Sequence, residues 1–249
     1  MKKPFLILFS LFISGICLSQ NGFYIGYENG GLFDRFHYVN SKGFELTQTS
    51  IGGVLGGIVG YKYKSYSIET GFYGYYSEYP MIEYDYTTFK VNKSNSSGSG
   101  AENWVIPIRL GMEFLTAKQK LFIKPEIAFD IFISRDYSES QPTMGWGENV
   151  SAFPGDPNFI PTTSDSTRAY GYISSKMNFG IETSLSIGYR FRQKVDLFIK
   201  GSYLANFSPL YYETITHYSN IETVSATDVN VNSFLMQIGL KYYFAKREK

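Results

Sequence analysis

The side chains with the greatest capacity for chemistry are charged residues that recur at every second position within apolar segments. The sequence has six such bases, at positions 62, 109, 124, 190, 200 and 241. Seven acids follow the same alternation: Glu28, Glu69, Glu113, Glu126, Asp130, Glu182 and Asp196. A buried charge without a partner costs several kcal/mol, so near balance is what a closed, packed interior requires. We therefore predict that these residues pair with each other inside the protein and serve its structure.

Two histidines, His37 and His217, are the alternative source of chemistry. Ser219 and Glu213 lie near His217 in sequence, and a hydrolase needs a base beside a nucleophile with a third group that orients the base. No protease or deacylase motif surrounds either histidine, and no cluster has the ligand spacing of a metal site. We therefore expect no catalytic, cofactor-binding or metal-binding residue, no cofactor and no enzymatic activity.

Alternation of apolar and polar residues predicts the elements that hold these side chains. From Met177 to Phe191, one parity is apolar apart from Thr183, and the other is small, polar or charged. A strand of this length is unusual in a soluble sheet but suits a tilted strand that crosses a bilayer. The same rule predicts eight strands, near residues 23–28, 51–63, 66–76, 104–114, 121–133, 177–191, 195–207 and 234–244.

The connections between these strands alternate strictly between short and long. Those after the second, fourth and sixth strands have a few residues, so every long connection emerges at one end and both chain ends lie at the other. A soluble barrel such as a lipocalin would share this pattern but bury its apolar face. We therefore predict an all-β fold, a transmembrane antiparallel up-and-down β-barrel of about eight strands. The predicted long loops are roughly Asp34–Thr49, Pro80–Ala101, Ser138–Ser175 and Ser208–Asn232.

Residues 1–19 are predicted to be a cleaved signal peptide, with residues 20–249 forming one outer-membrane barrel domain. A basic start is followed by the uncharged apolar run Pro4–Leu18, and small residues precede Gln20. The run is shorter than the roughly 20 apolar residues of a spanning helix. Lipoprotein processing at Cys17 is the alternative, and Ile16 disfavours it because that reaction needs a small residue before the cysteine.

Composition supports a membrane barrel and excludes other classes. The chain is 43% hydrophobic and 18% aromatic, with 22 Tyr and 21 Phe, which suits an apolar outer face. No later stretch reaches 18 uninterrupted apolar residues, so membrane-spanning helices are not expected. The formal net charge of +1 gives no electrostatic reason for a nucleic-acid partner. We expect outer-membrane lipid to be the principal partner and the bacterial outer membrane to be the location.

Three segments carry a resemblance to a known family. They are Gly22-Phe23-Tyr24-Ile25-Gly26, Val105-Ile106-Pro107-Ile108-Arg109-Leu110-Gly111 and Ile238-Gly239-Leu240-Lys241-Tyr242-Tyr243-Phe244. With the signal that ends at Ser19-Gln20, the chain resembles the outer-membrane β-barrel proteins of Bacteroidota, which are porin-like or OmpA/OmpX-like small barrels. The resemblance implies insertion by the barrel-assembly machinery, which recognises a terminal aromatic strand. Here Ala245–Lys249 follow Phe244, a departure from the strictest form of that signal.

The predicted function is a small outer-membrane barrel that presents four long extracellular loops in a structural, adhesive or envelope-maintenance role. An extracellular ligand would bind through these loops, among them the loop that contains Trp146 and the loop that contains His217. A narrow channel for small solutes is one alternative, and a lipid- or peptide-processing enzyme that uses His37 or His217 is another. The channel is disfavoured because the interior of an eight-stranded barrel is just wide enough to be filled by side chains.

Overall fold

The computed structural model describes residues 21–39, 47–78, 82–85, 90–93, 100–116, 120–135, 167–191, 194–217 and 222–244. The predicted signal peptide, the loop residue Trp146 and the terminal Ala245–Lys249 lie outside these residues, so the expectations about them stay predictions. Among the described residues, none belongs to a helix long and apolar enough to cross a membrane.

Thirteen β-strands form within the described residues. Eight of them build one continuous wall: β1 (Gly22–Val39), β2 (Thr47–Tyr63), β3 (Tyr66–Glu78), β6 (Gly100–Met112), β8 (Leu121–Ser134), β10 (Met177–Phe191), β11 (Val195–Asn206) and β13 (Glu222–Tyr243). Five shorter strands are additions to it: β4 (Ile82–Asp85), β5 (Lys90–Lys93), β7 (Phe114–Leu115), β9 (Thr167–Ile173) and β12 (Tyr211–His217).

The wall closes into a barrel. Each wall strand pairs antiparallel with the next wall strand in the chain, and β1 pairs with both β2 and β13. Tyr24 of β1, for example, lies opposite Gly60 on one side and Tyr243 on the other. Closure removes the free edges that an open sheet would expose. The predicted all-β, up-and-down antiparallel barrel of eight strands is confirmed.

Short connections and chain ends lie together at one end of the barrel, which we call the turn end. Lys64 and Ser65 form the tight turn between β2 and β3, and Lys64 has a φ of 55°. Its backbone amide donates to Asn21 Oδ1 at 2.6 Å, and the Phe244 amide at the same end donates to the Phe23 carbonyl at 3.0 Å. The longer connections leave the opposite end, the loop end, as the sequence predicted.

Strands extend further at the loop end than the sequence predicted. β1 continues to Val39, β13 begins at Glu222, and β12 pairs with both β13 and β9, so the wall is taller on this side. The sequences of these extensions lack the apolar alternation of the barrel strands, although their Thr, Val and Tyr residues favour strands. The loops predicted over Asp34–Thr49, Pro80–Ala101, Ser138–Ser175 and Ser208–Asn232 are therefore wrong in part, because each contains strand residues.

The outer surface of the barrel is an apolar band. Every wall strand exposes alternate large apolar side chains, and within the described wall the exposed charged side chains, such as Arg35, lie beyond this band. On β8, for example, Ile123 and Ile127 are 49% and 48% exposed, whereas Lys124 and Glu126 between them are buried. The predicted parity of the strands is therefore confirmed, with the apolar face outward and the charged face inward.

Aromatic rings gather at both margins of this band. At the turn end, Phe23 and Tyr61 contact each other with ring centroids 4.8 Å apart. At the loop end, Phe72 and Trp104 do the same at 5.3 Å. Further contacts between neighbouring outward rings extend both margins: Tyr189 with Phe191, Tyr242 with Phe244, Phe33 with Phe234, and Phe129 with Phe179.

Candidate functional site

The lumen holds every charged residue that the sequence predicted to face inward. All thirteen are buried, and Asp34 near the loop end joins them. The sequence missed Asp34 because it lies where a loop was predicted, although it shares the inward parity of Glu28. The fourteen residues are Glu28, Asp34, Lys62, Glu69, Arg109, Glu113, Lys124, Glu126, Asp130, Glu182, Arg190, Asp196, Lys200 and Lys241.

A balanced cluster of two bases and two acids fills the lumen at the turn end. Arg190 donates from Nε and Nη2 to the two carboxylate oxygens of Asp196, both at 2.7 Å. Its Nη2 also lies 2.9 Å from Glu113 Oε2, and Lys62 pairs with the other oxygen of Glu113. The guanidinium of Arg190 lies 5.4 Å from the centroid of the Tyr243 ring. Bidentate pairing fixes Arg190 in orientation as well as neutralising it.

A second balanced cluster follows further along the strands. Glu69 Oε1 accepts hydrogen bonds from Lys241 Nζ at 2.7 Å and from the Tyr24 hydroxyl at 2.6 Å. Lys124 pairs with Glu69 as well and lies 2.8 Å from Glu126 Oε1. Two lysines again face two glutamates, so this level of the lumen carries no net formal charge.

Glu28 is the centre of a third cluster, which we call the central cluster. Its Oε2 atom accepts from Lys200 Nζ at 2.6 Å, from the Tyr73 hydroxyl at 2.7 Å and from Arg109 Nη1 at 3.2 Å. Glu182 lies 3.5 Å from Arg109 Nη2 and 3.7 Å from Lys200 Nζ. One carboxylate thus binds two cations that come from strands on different sides of the barrel.

Asp130 lies beside the central cluster without an ion pair. It is completely buried, and neither of its carboxylate oxygens accepts a hydrogen bond within the part of the chain that the structure describes. Its direct neighbours across the sheet are Pro107 and Gly180, whose side chains offer no donor. At this level of the lumen there are three acids, because Asp130 joins Glu28 and Glu182. The two bases at the same level are Arg109 and Lys200. This level of the lumen therefore has a formal excess of one negative charge, whereas the two clusters nearer the turn end are balanced.

Removing the charge of Asp130 should stabilise the protein. We expect Asp130→Asn to raise the free energy of unfolding by about 1–3 kcal/mol, because it removes an unsatisfied buried charge without changing the size of the side chain. Urea titration of the protein in lipid vesicles would measure this change. Asp196→Asn is the matched control, and it should lower the free energy by about 3–5 kcal/mol because Arg190 loses its bidentate partner. Equal destabilisation by both substitutions would contradict the assignment of Asp130 as unpaired.

Toward the loop end the lumen changes from charged to apolar. Sequence reasoning missed this apolar layer, yet a signal was available: Val54 and Ile58 share the inward parity of Lys62, and Leu204 shares that of Lys200. The layer lies in the lumen on the loop-end side of the three charged clusters. It consists of Leu32, Val54, Ile58, Tyr73, Tyr75, Val105, Phe132, Leu204 and Leu235, each at most 4% exposed.

The two histidines lie far apart. His37 of β1 lies opposite Asn230 of β13, whereas His217 of β12 lies opposite Glu222 of the same strand. These positions on β13 differ by eight residues (230 minus 222), which is about 26 Å along a strand. His37 and His217 also belong to strands on opposite sides of β13. The two residues therefore cannot share one metal ion or one active site.

The residues near His217 that the hydrolase alternative would use are described only in part. Glu213 and His217 lie four residues apart on β12, so their backbone positions are about 13 Å apart along the strand. Ser219 lies outside the described residues. The described residues contain no group of three or more His, Cys, Asp and Glu side chains that could hold a metal ion.

Comparison with solved structures yields distant similarities. Neisserial surface protein A is 11% identical over 90% of this chain and 97% of its own, with a TM-score of 0.43. The outer membrane protein OprG from Pseudomonas aeruginosa is 11% identical over 90% of this chain and 98% of its own, with a TM-score of 0.46. A major outer membrane protein from Thermus thermophilus is 9% identical over 88% of this chain and 99% of its own, with a TM-score of 0.39.

At these values the similarities concern the fold and assign neither a family nor a role. No protein-family model matches the chain, and no curated protein matches it. The attribution to Bacteroidota stays a prediction.

Proposed function

We propose that the protein spans the bacterial outer membrane and presents its loop end to the exterior in a structural, adhesive or envelope-maintenance role. The uncharged apolar band around the whole barrel carries this proposal. Soluble proteins rarely expose contiguous apolar patches larger than a few hundred Å². In lipid the same band is favourable, and the closed sheet pairs the backbone groups of the wall, as a bilayer requires.

The dimensions of the wall support the same proposal. A tilted strand needs about 9–11 residues to cross the hydrocarbon core. The wall strands have 12 to 22 residues, so each is long enough to cross. The aromatic rings at the two margins would lie at the headgroup level, where Trp and Tyr concentrate in membrane proteins.

The filled lumen supports a barrel that does not conduct. Three charged clusters and the apolar layer occupy successive levels of the interior. We therefore expect no discrete conductance steps when the purified protein is inserted into planar bilayers. Reproducible unitary steps in the wild-type protein would contradict this expectation and favour the narrow channel instead.

Orientation in the membrane is tested by cysteine labelling. Cys17, the only cysteine, lies in the predicted signal peptide, so Lys176→Cys at the loop end and Thr116→Cys at the turn end each introduce one exposed reporter. On intact cells, a membrane-impermeant maleimide should label Lys176→Cys and leave Thr116→Cys unlabelled until the outer membrane is permeabilised. Labelling of Thr116→Cys alone on intact cells would reverse the proposed orientation. Recovery of the protein in the soluble periplasmic fraction would overturn the proposal.

The proposal implies three kinds of partner and no catalysis. Outer-membrane lipid would surround the apolar band, the barrel-assembly machinery would insert the chain, and an extracellular ligand would bind through the loops. The separation of His37 from His217 along β13 supports a non-enzymatic protein.

A further inference from the structure

Among the residues that the structure describes, the turn end of the barrel exposes charges of one sign. Lys64, Lys120 and Lys194 each belong to a different one of its three short connections, and all three side chains are exposed. The acids in the described part of this end, Glu113 and Asp196, are buried in the lumen. The rim formed by the three lysines, which we call the lysine rim, therefore carries a positive charge without nearby exposed acids in the described structure.

The sequence of the connections reinforces this asymmetry. Residues 64–65, 116–120 and 192–194 include two further bases, Lys118 and Arg192, and no acid. The loop end differs, because exposed Arg135 there forms an ion pair with Glu102, whose side chain is 44% exposed. A partner that recognises positive charge alone would therefore bind at the turn end.

The backbone of each lysine is held by the barrel wall. The Lys64 amide donates to Asn21, as described above. The Lys120 carbonyl accepts from the Arg190 amide at 2.7 Å, and the Lys194 carbonyl accepts from the Tyr243 amide at 2.8 Å. The backbone of each lysine therefore has a fixed position on the rim.

One of these side chains lies where a lipid headgroup would be. Lys64 Nζ is 5.3 Å from the centroid of the Tyr63 ring, which belongs to the outward aromatic margin and is 54% exposed. Tyr rings mark the headgroup level of a bilayer, and lysines near it extend their amines toward the headgroups. Lys64 also occupies a left-handed backbone conformation that Gly or Asn would adopt with less strain. A lysine thus occupies a turn position whose backbone conformation favours Gly or Asn.

We propose that the lysine rim binds the anionic headgroups of phospholipids in the leaflet that the turn end enters. This inference rests on the proposed function, since it requires the barrel to span a membrane. Phosphodiester oxygens accept charge-assisted hydrogen bonds from ammonium groups, and anionic lipid surfaces attract basic residues beside a membrane segment. The position of Lys64 Nζ beside the lipid-facing Tyr63 favours a lipid over an acidic glycan or protein beyond the end of the barrel.

The experiment compares spin-labelled phosphatidylglycerol with spin-labelled phosphatidylcholine around the full protein in phosphatidylcholine vesicles. Electron paramagnetic resonance gives the motionally restricted fraction of each lipid and hence their relative association constant. We expect phosphatidylglycerol to be preferred at least about fivefold, an amount that one lysine near an anionic surface can supply. The triple variant Lys64→Gln, Lys120→Gln and Lys194→Gln should bring the ratio close to one. High salt should do the same for the wild-type protein.

Two further variants make the result specific. The matched loop-end variant Arg35→Gln, Arg135→Gln and Lys176→Gln should keep the preference, and so should a turn-end variant with arginine at all three lysines. The proposal that the lysine rim binds anionic lipid is overturned if the glutamine turn-end variant keeps the wild-type ratio of association constants. It is likewise overturned if the loop-end variant loses that ratio. The proposal is also overturned if the wild-type protein does not prefer phosphatidylglycerol to phosphatidylcholine. This holds whether or not the protein binds soluble anionic glycan fragments. Absence of any restricted lipid would instead overturn the membrane-spanning proposal itself.

Discussion

Replacing Glu28 with glutamine should lower the free energy of unfolding by about 3–5 kcal/mol, the range for breaking a buried ion pair. Glu28 is completely buried, and its Oε2 atom accepts from Lys200 and Arg109. Glutamine keeps the shape and removes the charge, so both cations would stay buried with only the more distant Glu182 as a directly paired counter-charge.

Urea unfolding of the protein in lipid vesicles, followed by tryptophan fluorescence, measures this loss. The matched control is Glu102→Gln, which breaks an ion pair with Arg135 whose partners are 44% and 60% exposed. Exposed pairs contribute about 0–1 kcal/mol, so the control should change little. Similar losses for Glu28→Gln and Glu102→Gln would show that the central cluster does not stabilise the barrel.

An arginine at the middle of the outer surface should lower the free energy of unfolding almost as much as Glu28→Gln does. Ile127 lies midway along β8 and is 48% exposed on the apolar band. If the band faces lipid, Ile127→Arg should lower the free energy of unfolding by about 2–4 kcal/mol, the range for a basic residue at the bilayer midplane. If the band faced water, a surface substitution of this kind would change stability by about 0.5 kcal/mol or less.

The depth dependence of this effect separates a membrane from a general intolerance of arginine. Leu121 lies on the same strand and the same face, 51% exposed, at the turn end. Leu121→Arg should lower the free energy of unfolding by only about 0–1 kcal/mol, because the guanidinium at this position can reach the headgroups. Equal losses at Leu121 and Ile127 in the same unfolding titration would argue against a lipid-facing band.

The strands and their two faces could be predicted from sequence because lipid makes a strict demand. Every second residue of a membrane strand must be apolar, and the other parity must suit the lumen. Met177–Phe191 satisfies this rule over its whole length apart from Thr183, and the structure places β10 over the same residues. The lengths of the connections predicted the number of strands and the end at which the short turns lie. Only an even number of strands brings both chain ends and the short turns to one end of the barrel.

The partners within the lumen could not be predicted in the same way. Parity shows that Glu28, Arg109 and Lys200 face inward, but their meeting depends on the tilt and register of strands far apart in the chain. Asp130 illustrates this limit, because its parity matches that of the paired acids and yet its cross-strand neighbours are Pro107 and Gly180. Sequence reasoning assigned pairing to the whole set, and Asp130 is the exception.

The loop-end extensions escaped prediction for a related physical reason. Beyond the apolar band a strand is no longer required to alternate, so Thr167–Ile173 and Tyr211–His217 carry no parity signal, although both form strands. β9 pairs with β12, and β12 pairs with β13, so both strands continue the sheet of the barrel wall at the loop end.

The central claim is that this closed barrel is folded in lipid, and migration on a detergent gel tests it most directly. A membrane-extracted barrel, or one refolded into lipid vesicles, should migrate faster before boiling than after boiling, because the unboiled barrel stays compact in detergent. The structure predicts two bands that interconvert on heating, with the compact form obtained only in the presence of lipid or detergent micelles. A protein that folds in detergent-free buffer and migrates identically before and after boiling would contradict the claim.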